Sequence, residues 1–211
     1  MNPLSWYVGF IGRLAKAVTR ADNAVFFKAA CSRMSGTVLN LGCGRSTFAK
    51  WLDGAREIRV DITRHQGVMV VCDAHALPFR KEAFTGVIME EVLEHCRNPM
   101  LVSREVASIV VQGGRIALSV PFMFPMHDVP NDFFRFTRYG LESIWTESFS
   151  IVSLNPRLPG LETFAIPGVR LLHEKNAIKP LALISVPVSW LVWKVILRPL
   201  RFMYKGTFLA G

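Results

Sequence analysis

Three short stretches hold the residue types that chemistry needs. The first, Val38-Leu39-Asn40-Leu41-Gly42-Cys43-Gly44-Arg45-Ser46, is an apolar run ending in Gly-x-Gly. It reads as a buried strand, a tight turn and a helix over Ser46–Leu52. Glycines there remove the side chains that would keep a ligand from the backbone, and the amides opening a helix would face that ligand. Alone, the pattern equally describes an ordinary strand–helix turn. The second is Asp61, 19 positions after Gly42. An acid at the tip of a second strand can accept hydrogen bonds from both ribose hydroxyls of a nucleoside, or it can cap a helix. The third is Asp73-Ala74. A carboxylate there can accept from an exocyclic adenine amine, and the small alanine leaves room for the ring.

A second group carries acid–base chemistry. A helix starting near Glu91 would place Glu91, Glu94 and His95 on one face. Such a cluster can hold a divalent metal, or its glutamates can compensate the helix dipole beside a structural histidine. We assign no metal from the sequence, since a hard cation wants further oxygen ligands that the spacing does not supply. His95 and His127 are the candidate proton acceptors, histidine being the residue type that titrates near neutrality. Asp128, Asp132, Arg135 and Tyr139 follow His127 and would either face an acceptor molecule or form a polar surface loop.

The elements that must position these groups alternate between strand-like and helix-like segments over about 36–168. Strands are expected at Thr37–Leu41, Glu57–Ile62, Val68–Cys72, Phe84–Met89, Arg115–Val120 and, late, Phe149–Leu154. Besides Ser46–Leu52, helices are expected at Pro99–Val111 and Tyr139–Thr146, with the Gly113-Gly114 turn before the fifth strand. That order argues for an α/β fold with a Rossmann-like, doubly wound, mostly parallel sheet, whose ligands bind at the carboxyl ends of the strands.

The flanks differ. Residues 1–35 read as an amphipathic helical cap, with Tyr7, Ile11, Leu14, Val18 and Val25 on one stripe. Residues 169–211 form a basic, apolar tail. Its stretch Leu181–Leu197 would make a helix of about 26 Å, marginal against a hydrocarbon core of about 30 Å, with Pro187 in its middle. Trp190, Trp193, Phe202 and Tyr204 among Lys194, Arg198, Arg201 and Lys205 suit a headgroup boundary.

Charge follows the same division. The chain of 211 residues carries +9, is 51% hydrophobic and only 19% charged, which excludes a disordered chain. Residues 1–33 hold +4, 170–211 hold +6 and the centre −1. The excess therefore points to an anionic membrane surface at the flanks, and nucleic acid is a less favoured partner. Cys31, Cys43, Cys72 and Cys96 show no metal-binding or disulfide spacing and no signal peptide is apparent. A cytoplasmic location is expected, with peripheral attachment to the inner face of the membrane.

Over about 36–155 the sequence resembles the class I S-adenosylmethionine-dependent methyltransferases, specifically small bacterial methyltransferases of type 11. The family's glycine motif matches Leu39-Asn40-Leu41-Gly42-Cys43-Gly44. Its ribose-binding acid matches Asp61, and its adenine-side step matches Asp73-Ala74, followed by Leu77-Pro78-Phe79. The block after the fourth strand matches Glu90-Glu91-Val92-Leu93-Glu94-His95. This block is also similar to one in the ubiquinone-type O-methyltransferases, some of which bind magnesium there. His127 to Leu141 looks like a segment of small methyltransferases, many of which work on saccharide or lipid-linked intermediates. The resemblance implies S-adenosyl-L-methionine as cofactor, held by Asn40, Leu41, Gly42, Cys43, Gly44, Asp61, Ile62, Asp73, Ala74, Glu90 and Glu91.

Two positions depart from the pattern. Asn40 stands where the family usually has an acid, and Ser46 where it has a third glycine. The implied reaction is methyl transfer to a small or lipid-linked acceptor, with oxygen the expected atom. Its alternatives are a catalytically weak cofactor-binding or interaction domain, and a nucleic-acid methyltransferase. The missing third glycine and the block around Glu91 and His95 disfavour a nicotinamide site.

Overall fold

A computed structural model describes residues 23–122, 124 and 126–155. Residues 21–122 and 126–155 form one compact unit. Its five strands are β1 (Thr37–Leu41), β2 (Arg56–Asp61), β3 (Val70–Val71), β4 (Phe84–Glu90) and β5 (Val110–Ser119). They pair in the order β3-β2-β1-β4-β5, and every pairing is parallel. The chain starts at the central strand, winds outward to β3, then returns to β4 beside β1. The carboxyl ends of β1, β2 and β4 therefore converge around the point where the winding reverses, the crevice in which such sheets bind ligands.

Period-two alternation along β1 explains the two-sided core. Leu39 and Leu41 join Val60, Val87 and Met89 on one face, under α2 (Pro99–Ile109) and α3 (Arg138–Trp145). Val38 joins Ile88 and Ala117 on the other, under the helical residues 23–31 (α1), which insert Phe27 and Cys31. Asn98 caps α2 by accepting from the Leu101 amide at 3.1 Å, with Pro99 opening the helix. Thr137 caps α3 in the same way, accepting from the Gly140 amide at 3.0 Å.

Four expectations change. The segment after the glycine turn is no α-helix but a single 3-10 turn at Ala49–Trp51. Glu57 explains why. Its carboxylate accepts from the Thr47 hydroxyl at 2.5 Å and the Phe48 amide at 2.9 Å, drawing to β2 groups that would have opened a helical ladder. The third strand has only two residues. Phe149–Leu154 is irregular; the Ser148 and Phe149 amides close on the Trp145 carbonyl, and Phe149 and Leu154 pack on the core without joining the sheet. Val25 is 71% exposed, so the apolar stripe of α1 runs through Phe27 and Cys31 instead. The rest of the N-terminal stripe, residues 156–168 and the basic tail with Leu181–Leu197 lie outside the described residues. Among those described, no helix is long and apolar enough to cross a membrane.

Candidate cofactor and acceptor site

The glycine turn is built from both sides. Gly42 and Gly44 take φ of +68° and +49°. A Cβ at Gly42 would lie 2.5 and 2.8 Å from the two methyls of Val92, so the bare glycine lets the turn after β4 close against the turn after β1. At Gly44 a Cβ would meet nothing within 4 Å; the space before it is open. Gly42→Ala combines a steric clash with a left-handed backbone. It is expected to cost roughly 1–3 kcal/mol of stability. Denaturant unfolding would measure this, and the added change Val92→Ala should recover part of the loss.

Asp61 secures the same turn. One of its oxygens accepts from the Gly44 amide at 2.7 Å and the other from the Thr63 amide at 2.9 Å. Each carboxylate oxygen has two lone-pair sites, so both retain one for a ligand. Ile62, beside it, is 68% exposed at the strand tip. Leu41 and Cys43 are buried, and desolvation raises the Cys43 thiol above the ordinary range. Asn40 faces α1, opposite to Leu39 and Leu41. Its amide nitrogen donates to Glu57 at 2.8 Å and to the Ser46 carbonyl at 3.3 Å, using both N–H groups to brace the turn. At this position an amide does what an acid could not, because Glu57 already supplies the negative charge.

Asp73 sits at the end of the β3 segment with Ala74 packed on the core. One Asp73 oxygen accepts from the His75 amide at 2.9 Å and contacts His75 Nδ1 at 2.6 Å. These bonds, the amide first, hold its carboxyl below the usual range. The other nitrogen of His75 accepts from the Asn98 amide at 3.1 Å. His75 thus links the expected adenine side to the start of α2, a role that sequence reading missed; the two-residue spacing from Asp73 was its only signal.

The block after β4 is not a helix from Glu91. Glu91 has φ of +55°, and the only helical turn is the 3-10 turn Leu93–His95. Glu91 points instead to β5, accepting from the Ser119 hydroxyl at 2.9 Å. Glu90 accepts from the Asn23 side chain of α1 at 3.0 Å. Glu94 and His95 part from Glu91 and meet the segment after β5. The Glu94 carbonyl accepts from the Phe133 and Phe134 amides, and His95 Nδ1 lies 2.6 Å from the Asn131 carbonyl. That clasp brings His127 beside His95, with ring centroids 4.8 Å apart.

Asp132 organises this second half. It accepts two short bonds from Arg135, at 2.6 and 2.7 Å, and one from the His127 amide at 2.9 Å. Its carboxyl is held far below the usual range, chiefly by Arg135. It also lies 3.1 Å from His127 Nδ1. The guanidinium of Arg135 approaches the same nitrogen at 3.5 Å. Glu94 is fully buried, and burial, reinforced by the charge of Glu91, pushes its carboxyl up to about 8. Asp128 is exposed in a turn, with φ of +50°. Tyr139 is 77% exposed on α3, and the hydrogen bonds of the cluster do not include it. Of the expected acceptor-side residues, Asp132 and Arg135 are the two that contact His127, whose ring in turn meets His95.

A five-stranded parallel sheet, an open glycine turn and an acid at the tip of the neighbouring strand define a nucleoside-cofactor enzyme of the methyltransferase fold. Residues 39–118 match the family described as methyltransferase domain. That domain supports a class I S-adenosylmethionine-dependent methyltransferase over these residues and implies S-adenosylmethionine as the cofactor. Solved structures share the fold. YcgJ of Bacillus subtilis superposes with a TM-score of 0.51 at 19% identity, over 61% of this chain and 68% of that one. A candidate methyltransferase of Bacillus halodurans C-125 gives the same four values. The MccD protein matches at a TM-score of 0.51 and 19% identity, over 63% of this chain and 72% of that one. No protein of curated function matches the chain. The residues fit the cofactor: the space before Gly44 admits a ligand, and Asp61 keeps an acceptor site on each oxygen for ribose hydroxyls.

Proposed function

We propose that the chain methylates an oxygen of a small or lipid-linked acceptor, and that His127 receives the acceptor's proton. The observation carrying this reading is the Asp132–His127 pair, a buried carboxylate 3.1 Å from His127 Nδ1 that also accepts from the His127 amide; with the proton on Nδ1, Nε2 would be the proton acceptor. The Val92–Gly42 contact supports placing that pair near the cofactor, since it packs the turn leading to Glu94 and His95 against the glycine turn. When bound, S-adenosylmethionine supplies an electrophilic methyl group on its sulfonium. The chain's own residues align the acceptor, exclude water and take the hydroxyl proton at His127 Nε2. Arg135 holds Asp132 ionised, which stabilises the imidazolium that forms. The cationic flanks favour a lipid-linked acceptor at an anionic surface.

Transfer of labelled methyl groups to phenolic, saccharide and polyprenyl-linked hydroxyl acceptors, the last in anionic vesicles, tests the proposal. With the acceptor that responds, His127→Asn should lower kcat roughly 10²–10⁴-fold and leave cofactor affinity intact. Label found only on nitrogen, or a His127→Asn enzyme of undiminished kcat, would refute it.

A further inference from the structure

Glu94, His95 and His127 each offer one ligand atom, and these atoms lie within 4.8 Å of one another. Among the described residues, neither carboxylate oxygen of the buried Glu94 has a hydrogen-bond partner. His95 Nε2 lies 3.8 Å from Oε1 of Glu94. Nδ1 of His95 faces a carbonyl, which can only accept, so Nδ1 bears the hydrogen and Nε2 presents its lone pair. A lone pair thus faces a carboxylate from which water is excluded. Asp132 lies 3.1 Å from His127 Nδ1 and Arg135 3.5 Å from the same atom, so that ring is held from its Nδ1 side. Backbone carbonyls and carboxylates bonded to the far nitrogen are the supports that metal-binding histidines use.

We infer that Glu94, His95 and His127 form a binding site for a divalent transition-metal ion. Two imidazoles and one carboxylate suit zinc, cobalt or ferrous ions better than magnesium, which prefers oxygen ligands and keeps its waters. The donor set also differs from the sequence run Glu91, Glu94, His95. Glu91 accepts from Ser119, and the set of mutually close ligand atoms comprises Glu94, His95 and His127, the last 32 residues beyond His95. Tetrahedral ligands at 2.0–2.1 Å stand about 3.4 Å apart, so side-chain rotation closes the set on an ion.

Three protein ligands leave a coordination position for water or an acceptor oxygen. The inference rests on the cluster being the acceptor side of the methyltransferase. With the ion bound, His127 Nε2 is a ligand, and a coordinated acceptor hydroxyl loses its proton to water because the cation lowers its pKa. Without the ion, His127 takes the proton itself.

The test is cobalt binding by the full chain after chelator treatment, followed by visible absorption and by calorimetry. One cobalt per chain is expected, with the intense d–d bands of a low-coordinate nitrogen–oxygen site. Zinc should displace it at equimolar concentration, and millimolar magnesium should not. Glu94→Gln and His127→Asn should each weaken cobalt binding at least 100-fold, and Asp132→Asn, acting through His127, about 10- to 100-fold. Circular dichroism verifies that each variant is folded, and Asp53→Ala, at an exposed acid outside the cluster and the cofactor crevice, should bind cobalt normally. Absence of saturable cobalt binding, unchanged affinity in folded Glu94→Gln and His127→Asn variants, or displacement by magnesium would overturn the inference. S-adenosylmethionine binding is read in the same samples. A chain that binds the cofactor but no cobalt loses the metal site and keeps the methyltransferase assignment.

Discussion

Asp61→Ala is expected to weaken S-adenosylmethionine binding about 100-fold. The carboxylate has two tasks at once. In the proposed cofactor site its remaining lone pairs accept from ribose hydroxyls, and hydrogen bonds to a charged group contribute about 1.5–3 kcal/mol each. Its occupied lone pairs hold the Gly44 and Thr63 amides, at 2.7 and 2.9 Å. Alanine removes the ligand bonds and also frees the turn that shapes the open space before Gly44. Asp61→Asn separates the two effects, since it keeps one acceptor oxygen and the side-chain shape; it should fall between wild type and alanine. Equilibrium titration of the three proteins gives the order directly. An Asp61→Ala affinity within threefold of wild type would place the ribose elsewhere.

The second large effect concerns stability. In metal-free protein Glu94 is fully buried, and desolvation, reinforced by the charge of Glu91, pushes its carboxyl up to about 8 from the ordinary 4.5. The native state therefore keeps a proton that the unfolded chain gives up at much lower pH. Between about pH 4.5 and 8 the native state binds more protons than the unfolded state, so stability falls as pH rises through that window and levels off above it. Glutamine carries no such charge. Chelator-treated Glu94→Gln should match wild type near pH 4.5 and exceed it by a few kcal/mol at pH 8. Urea unfolding at both values would show the divergence. Parallel pH profiles for the two proteins would mean that Glu94 is solvated.

The fold was largely readable because strands leave a local signature. Thr37–Leu41 begins and ends where its apolar run does, and the Gly42 and Gly44 backbone conformations are of the kind that demands glycine. α2 announces itself by Asn98 and Pro99. What could not be read depends on partners remote in sequence. Nothing near Ser46 tells that Glu57, on another strand, will hold Thr47 and Phe48 and suppress the helix. Phe149–Leu154 has strand composition, yet its ring packing on Trp145 leaves it outside the sheet.

The site divides along the same line. The position of Asp61 is readable from spacing alone, because it ends β2, whereas Asp73 follows the two-residue β3 in a loop. The Glu94 cluster is not readable from spacing, for its geometry depends on the left-handed backbone at Glu91, which separates Glu91 from Glu94 and His95. It depends also on the clasp between the Glu94 carbonyl and the Phe133 and Phe134 amides, which carries His127 across 32 residues of sequence. His75 escaped notice because its two partners, Asp73 and the Asn98 amide, belong to separate loops.

The central claim is that the crevice at Gly42, Gly44 and Asp61 holds S-adenosylmethionine. Isothermal titration of the wild-type chain tests it most directly, with S-adenosylmethionine, its demethylated product and a nicotinamide dinucleotide as separate ligands. The account predicts one site per chain for the first two, each competing with the other, and no heat from the third. Binding of neither sulfur nucleoside, or binding of the dinucleotide in their place, would contradict it.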